Sequence, residues 1–175
     1  DFVEHIFTAS THSFMLFFTT NGKVYWLKVH QIPQAGAAAR GKAIVNLLRL
    51  EQDEQIKTML TVREVDVDDQ YLVFATRNGT VKKTQLSAFK NLRRTGIIAL
   101  NIQEDDDLIG VAVTDGSHHI MLFSAAGMAC RFEEDQVRKM GRTATGVRGI
   151  RLGKRENDAV VSMLASIARG VVAVI

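Results

Sequence analysis

At 175 residues, with 46% apolar and 23% charged residues, the chain has the size and composition of a globular domain with a sizeable core. No apolar run approaches a membrane span, no basic segment leads into an apolar one at the N-terminus, and no Cys/His set has zinc spacing; Cys130, the single cysteine, cannot form an internal disulfide. The net charge of +3 does not by itself point to nucleic acid, so any such role rests on how the charges are distributed. A reducing, cytoplasmic compartment is expected, and Asp1, which is not an initiating residue, suggests a fragment.

The first predicted element is a hairpin at residues 17–24, FFTTNGKV, with Asn-Gly between two apolar runs. This pair favours a type I′ turn, in which both central residues take positive φ. Residues 34–40, QAGAAAR, read as a loop or single turn, followed by a glycine-led run at 41–47, GKAIVNL. An acidic tract, 51–54, leads into an apolar strand at 56–62. The plan then repeats over residues 72–102: strand, Asn78-Gly79 turn, basic strand through Val81, and a second run at 96–102, GIIALNI. Acids at 104–107 precede a strand at 108–113. A third copy has LFSAAGMA at 122–129, GVRGIRL at 146–152, acids at 156–158 and a strand at 160–165. The last residues, 170–175, resemble the start of a fourth hairpin.

The turn glycines Gly22, Gly79 and Gly127 are 57 and 48 residues apart, and each is followed 17 to 19 residues later by a second glycine, Gly41, Gly96 or Gly146. After these, Val45, Leu100 and Ile150 align, as do Leu47, Ile102 and Leu152. That period belongs to propeller-type blades, small sheets that bury their faces only against neighbours. Val, Ile, Thr and Phe dominate the apolar runs, and no segment sustains a helical period. The expected fold is all-β: a propeller-like radial array of four-stranded blades, with repeat units at 5–62, 63–113, 114–165 and the start of a fourth at 166–175. The run from Gly96 is expected to join the next unit. The unfinished last blade leaves a strand edge that invites self-association.

Charge is segregated along this repeat. Residues 5–50 hold five Lys or Arg, 70–103 six, and 136–155 seven, all without an acid. Equivalent positions in a radial repeat lie at equivalent height, so the bases are expected to form a stripe suited to a polyphosphate backbone. No recognition helix or zinc finger is present to read bases, so binding by backbone and bending is expected. Strand alternation puts Lys82 and Lys83 on opposite faces, at most one toward the core. Catalytic signals are thin: His118-His119 is a loop pair without a partner at metal spacing, Cys130 has no paired His, and no P-loop or Ser/His/Asp set occurs. A protein-interaction propeller with an acidic partner is the competing class.

Residues 43–56 (AIVNLLRLEQDEQI), 75–84 (ATRNGTVKKT) and 140–153 (MGRTATGVRGIRLG) resemble the C-terminal domain of the A subunit of bacterial DNA gyrase, in order and over essentially the whole chain. The corresponding domain of topoisomerase IV is a weaker match, because TGVRGIRL is gyrase-like. The resemblance implies a β-pinwheel, usually of six blades, of which this chain would supply about three and a half. It implies a basic outer rim that wraps duplex DNA and presents it for ATP-dependent negative supercoiling. The partners it implies are the rest of the gyrase A polypeptide and the gyrase B polypeptide, in an A2B2 holoenzyme. It implies no catalysis and no cofactor in this fragment, since the catalytic tyrosine, ATP and Mg2+ belong elsewhere in the holoenzyme. The DNA contacts it implies are Arg40, Lys42, Arg77, Lys82, Lys83, Lys90, Arg93, Arg94, Arg131, Arg138, Lys139, Arg142, Arg148 and Arg151, with the loop at 90–94 foremost. One departure bears on wrapping: the family's basic box, Gln-Arg-Arg-Gly-Gly-Lys-Gly, is not in the sequence.

Overall fold

The computed structural model describes residues 6–36, 39–91, 93, 95–153 and 158–167. The first sheet, blade 1, contains β1 (Phe14–Thr19), β2 (Lys23–Lys28), β3 (Ile56–Val62) and β6 (Ile97–Ile98), in the order β3-β1-β2-β6. Blade 2 contains β4 (Tyr71–Thr76), β5 (Thr80–Gln85), β7 (Leu108–Thr114) and β10 (Val147–Arg148), in the order β10-β5-β4-β7. Blade 3 has β8 (His119–Ser124), β9 (Ala129–Glu133) and β11 (Val160–Ser166), in the order β11-β8-β9. All strand pairings are antiparallel. The expected all-β blade array is therefore the observed fold, while residues 168–175 of the expected fourth unit, 166–175, lie outside the described residues.

The order of strands corrects one expectation. The run beginning at Gly96 does not join the next unit. Ile97 and Ile98 pair with Val24 and Lys23 of the preceding hairpin, and Val147 and Arg148 pair likewise with Val81 and Thr80. The second and third sequence repeats thus lend their fourth strand backward, and blades 1 and 2 are each built from two repeats. The hairpin glycine is what permits this. The Gly22 carbonyl accepts hydrogen bonds from the Ala99 and Leu100 amides at 2.8 and 3.0 Å, and the Gly79 carbonyl from those of Gly149 and Ile150 at 2.8 and 3.3 Å. A Cβ on Gly79 would stand 2.9 Å from the Ile150 carbonyl oxygen, and one on Gly22 would collide with that of Leu100.

The turns also differ from the expected type I′. Gly22, Gly79 and Gly127 have φ of 71°, 87° and 81°, but Asn21 and Asn78 do not have positive φ. Each glycine amide instead donates at 3.0 Å to the residue three before it, Thr19, Thr76 or Ser124. That is a tight turn closed by a left-handed glycine, the common three-residue hairpin loop. The hydroxyls of these three residues accept the amides of Lys23, Thr80 and Met128, a cap repeated in every blade.

Strand alternation divides the core. Leu72 and Phe74 of β4 join Leu16 and Phe18 of blade 1, while Val73 and Ala75 join Ile120 and Leu122 of blade 3. Blade 2 is therefore buried on both faces, which is why β4 reads as an unbroken apolar run. Phe18 and Phe74 meet edge to face, with centroids 5.6 Å apart. Neighbouring sheets approach closest along β3, β7 and β11, which pack on one another. The sheets fan outward from that edge, so the exchange strands β6 and β10 lie at the outer edge.

Candidate nucleic-acid interface

The loops that deliver the exchange strands run over this outer edge. Each leaves a short 3-10 turn, Leu86–Phe89 or Glu134–Gln136, and ends at the second glycine of its repeat. Lys90 and Arg93 lie on the first loop, Arg138, Lys139 and Arg142 on the second, and Arg40 and Lys42 flank the equivalent Gly41. All of these are exposed except Arg142, which is half-buried. Arg77 on a hairpin turn, Arg131 on β9, Arg148 on β10 and Arg151 beyond it are also exposed. Arg94 lies outside the described residues. Three of the bases are engaged: Lys90 pairs with Asp66 at 3.4 Å, Lys139 donates to Gln85 at 3.0 Å and Arg142 donates to the Ile98 carbonyl at 3.2 Å. The side chains of Arg40, Lys42, Arg77, Arg93, Arg131, Arg138, Arg148 and Arg151 have no hydrogen-bond or ion-pair partner among the described residues.

Lys82 and Lys83 are corrections. Both are buried, at 0% and 7% exposure, and neither can reach a phosphate in this fold. Strand alternation does put them on opposite faces, but both faces of blade 2 are covered. Lys82 donates to the carbonyls of Ala99 and Arg142, and lies over the Phe74 ring. It thus ties the exchange run of the second unit to the loop of the third. Lys83 points toward blade 3, where its ammonium donates to the Glu134 carbonyl at 2.9 Å, 3.9 Å from the Glu134 carboxylate.

Burial, helped by the nearby Arg142 guanidinium, pushes the Lys82 pKa down from 10.5 to about 8. Between those values the unfolded chain holds more protons at this site than the folded one, so the site's contribution to stability grows as pH rises. Below pH 8 the full cost of the buried cation is present. The stability difference between wild type and Lys82→Met, measured by urea denaturation, should move in favour of wild type from pH 7 to pH 10.

The loops converge at one place. Lys23 of blade 1, Arg93 of the second unit and Arg142 of the third line an open cavity of about 560 Å3, with Asn91, Thr95 and Thr143. No acid lines it. Arg142 is held there by its bond to the Ile98 carbonyl at 3.2 Å, and the loop by Asn101 donating to the Thr143 carbonyl at 2.6 Å. Lys23 is also held, by Glu51 at 2.5 Å. Three cations from three units, among neutral donors, can receive an anion such as a backbone phosphate.

The acidic tracts, separated from the bases in sequence, prove to be structural. The Asp106 carboxylate accepts the Asn78 amide at 2.8 Å, and Asp158 that of Ala126 at 3.0 Å, so each caps a hairpin turn. Glu54 is buried and accepts from Thr19 and Tyr25 at 2.6 and 2.7 Å. His118 has neighbours that sequence spacing did not reveal: Asp115, His118 and Glu134 bring ligand-type atoms within 4.8 Å. These atoms already serve one another and the blade 2–3 seam. His118 Nδ1 lies 2.9 Å from Asp115, and Glu134 accepts from Thr114 at 2.7 Å and from the His118 amide at 3.2 Å.

Residues 13–63, 70–115 and 118–166, one segment for each hairpin unit, match the family described as DNA gyrase C-terminal domain, beta-propeller. The chain is 49% identical over 172 residues to the A subunit of DNA gyrase from Salmonella typhimurium, covering 98% of this chain and 19% of the relative. It is 51% identical over 150 residues to that of Halalkalibacterium halodurans, covering 86% and 18%. The solved C-terminal domain of DNA topoisomerase IV superposes with a TM-score of 0.78 at 32% identity, over 89% of this chain and 47% of that one. A gyrase A C-terminal domain superposes with a TM-score of 0.74 at 24% identity, over 90% and 49%, a likeness of fold.

Proposed function

Because this chain belongs to the family of DNA gyrase C-terminal β-propeller domains, we propose that it binds duplex DNA along the outer edge of its blades, without reading sequence, as the DNA-wrapping part of a gyrase. The observation that carries this reading is the convergence of Lys23, Arg93 and Arg142 from three successive units on one acid-free cavity. The free arginines of the exchange loops extend it. With Lys23, the interface comprises Arg40, Lys42, Arg77, Lys90, Arg93, Arg94, Arg131, Arg138, Lys139, Arg142, Arg148 and Arg151. The bases lie at repeat-equivalent loops on a curved edge, so a bound duplex bends along it. Since the chain spans only about a fifth of its gyrase relatives, DNA cleavage and ATP use belong to the rest of the gyrase A polypeptide and to gyrase B, acting in the cytoplasm.

A salt titration tests this. Fluorescence anisotropy with a nonspecific duplex should show log K falling with log salt, by about 0.9 for each phosphate neutralised. A flat dependence would overturn the reading in favour of a protein-interaction domain. The topoisomerase IV likeness supports a second reading, the equivalent domain of that enzyme. The near-complete coverage at about half identity by gyrase relatives favours the first.

A further inference from the structure

Lys82 does more than its place in the sheet requires. Its repeat-equivalents, three residues after the hairpin glycines, are Tyr25 in blade 1 and Cys130 in blade 3. Cys130 shows what the position asks for: its thiol meets the Gly149 carbonyl at 3.7 Å, and Gly149 is the repeat-equivalent of Ala99. Lys82 makes the same contact with the Ala99 carbonyl, at 2.6 Å, and adds a second with the Arg142 carbonyl of the third unit. At 0% exposure its ammonium has these two carbonyls and the Phe74 ring, and no carboxylate accepts from it among the described residues. A cation buried without a counter-charge is costly, and neither neighbouring blade carries one at this position.

The bonds around Lys82 close behind the cavity that Lys23, Arg93 and Arg142 line. Ile98 and Arg142 form part of its wall, whereas Lys82 does not line it. Lys82 holds the carbonyl next to Ile98, that of Ala99; the Ile98 carbonyl accepts from the Arg142 guanidinium at 3.2 Å; and the Arg142 carbonyl accepts from Lys82. One wall, from the second unit, is thus tethered to the other, from the third. The groups that face the ammonium are the Phe74 ring from β4, the Ala99 carbonyl from the exchange run and Arg142 from the loop, whose guanidinium repels it. Farther out in the cavity are Arg93 and Lys23, the latter paired with Glu51 at 2.5 Å. Cations around the cavity raise the cost of another behind it, and an anion in the cavity lowers that cost.

Resting on the reading that this cavity takes DNA phosphate, we infer that Lys82 is a positioning residue for DNA binding: its buried ammonium holds the two cavity walls together from behind, and phosphate and the Lys82 proton bind cooperatively. The ammonium donates strongly to both carbonyls, and the neutral amine is the weaker donor. Phosphate on Arg142 offsets the repulsion that the ammonium meets, so proton and phosphate favour each other by the same factor. Lys82 of the free protein titrates at about 8, so binding takes up a proton near that pH and weakens as pH rises through it. The sign is opposite to that of fold stability, which gains from this site over the same range.

Fluorescence anisotropy with a nonspecific duplex at constant salt, at pH 7 and pH 9, tests this on the wild type and on Lys82→Met. Wild-type affinity should fall roughly tenfold between the two, the limit for a site titrating near 8 that stays protonated in the complex. The variant should bind about tenfold more weakly than wild type at pH 7 and change less than roughly twofold by pH 9. Calorimetry of the wild type at pH 8, in two buffers of different ionisation enthalpy, should show about half a proton taken up per protein bound. That measurement requires no variant, so it decides the matter even where Lys82→Met does not fold. Binding at pH 7 that is unchanged at pH 9 with no proton uptake, or a folded variant that keeps the wild-type pH dependence, would overturn the inference and leave the DNA-binding reading standing. No binding at either pH would overturn that reading and the inference with it.

Discussion

Replacing Glu134 with alanine should destabilise the protein by about 3–5 kcal/mol, because it strands a buried cation. Glu134 is fully buried at the blade 2–3 seam, where the equivalent residues of the first two units are Val29 and Leu86. Its carboxylate accepts from Thr114 and the His118 amide, and it is the counter-charge nearest to Lys83, which is 7% exposed. Alanine leaves Lys83 with a carbonyl and the face of the Tyr71 ring but no counter-charge, the Thr114 hydroxyl without its acceptor and the His118 amide unmet. For a chain of this length the melting temperature should fall by roughly 10 °C. Glu134→Gln, which keeps an acceptor in place, should cost less. The double replacement of Glu134 by Leu and Lys83 by Met removes both charges and should recover much of the loss. Thermal denaturation of the set checks the ordering; an Ala variant as stable as wild type would show that the pair does not hold the seam.

The second large effect concerns binding. Arg93→Glu combined with Arg142→Glu should weaken duplex DNA binding by about a hundredfold at moderate salt, near tenfold per charge-assisted contact. The slope of log K against log salt should become shallower by about two, one for each phosphate contact removed. The loss should be uniform across DNA sequences, since these contacts carry no base information. Arg93 is exposed and has no partner among the described residues, so its reversal leaves the fold intact. The Arg142 reversal brings a carboxylate near the buried Lys82 and removes a bond to Ile98. Its melting curve is therefore the companion measurement. Unchanged affinity with an unchanged fold would move the DNA path away from the cavity between these loops.

Periodicity carried far in this protein. Three hairpins with glycine turns, matching glycines 17 to 19 residues on and aligned apolar positions were enough to give an all-β blade array. The reason is local: turn chemistry and two-residue alternation act within a few residues, and both are written in the chain. The resemblance to gyrase A C-terminal domains was carried by three short stretches and agrees with the family match. The basic residues of the exchange loops were also legible, because loops lie at the surface whatever the topology.

What the sequence did not determine was which sheet a run would join, and which charges would be covered. Residues 96–98 read as a strand that joins the next unit; only assembled blades pair them with the preceding hairpin and place the amides that follow them over the carbonyl of Gly22. Lys82 and Lys83 look like solvent-facing bases on a strand, and a single sheet would leave at least one of them wet. A sheet between two others wets neither, so one lysine clamps the rim loops and the other pairs with Glu134. A strand's pattern reports its own two faces, but what lies against each face is set by the stacking of blades, and that is a property of the tertiary structure alone.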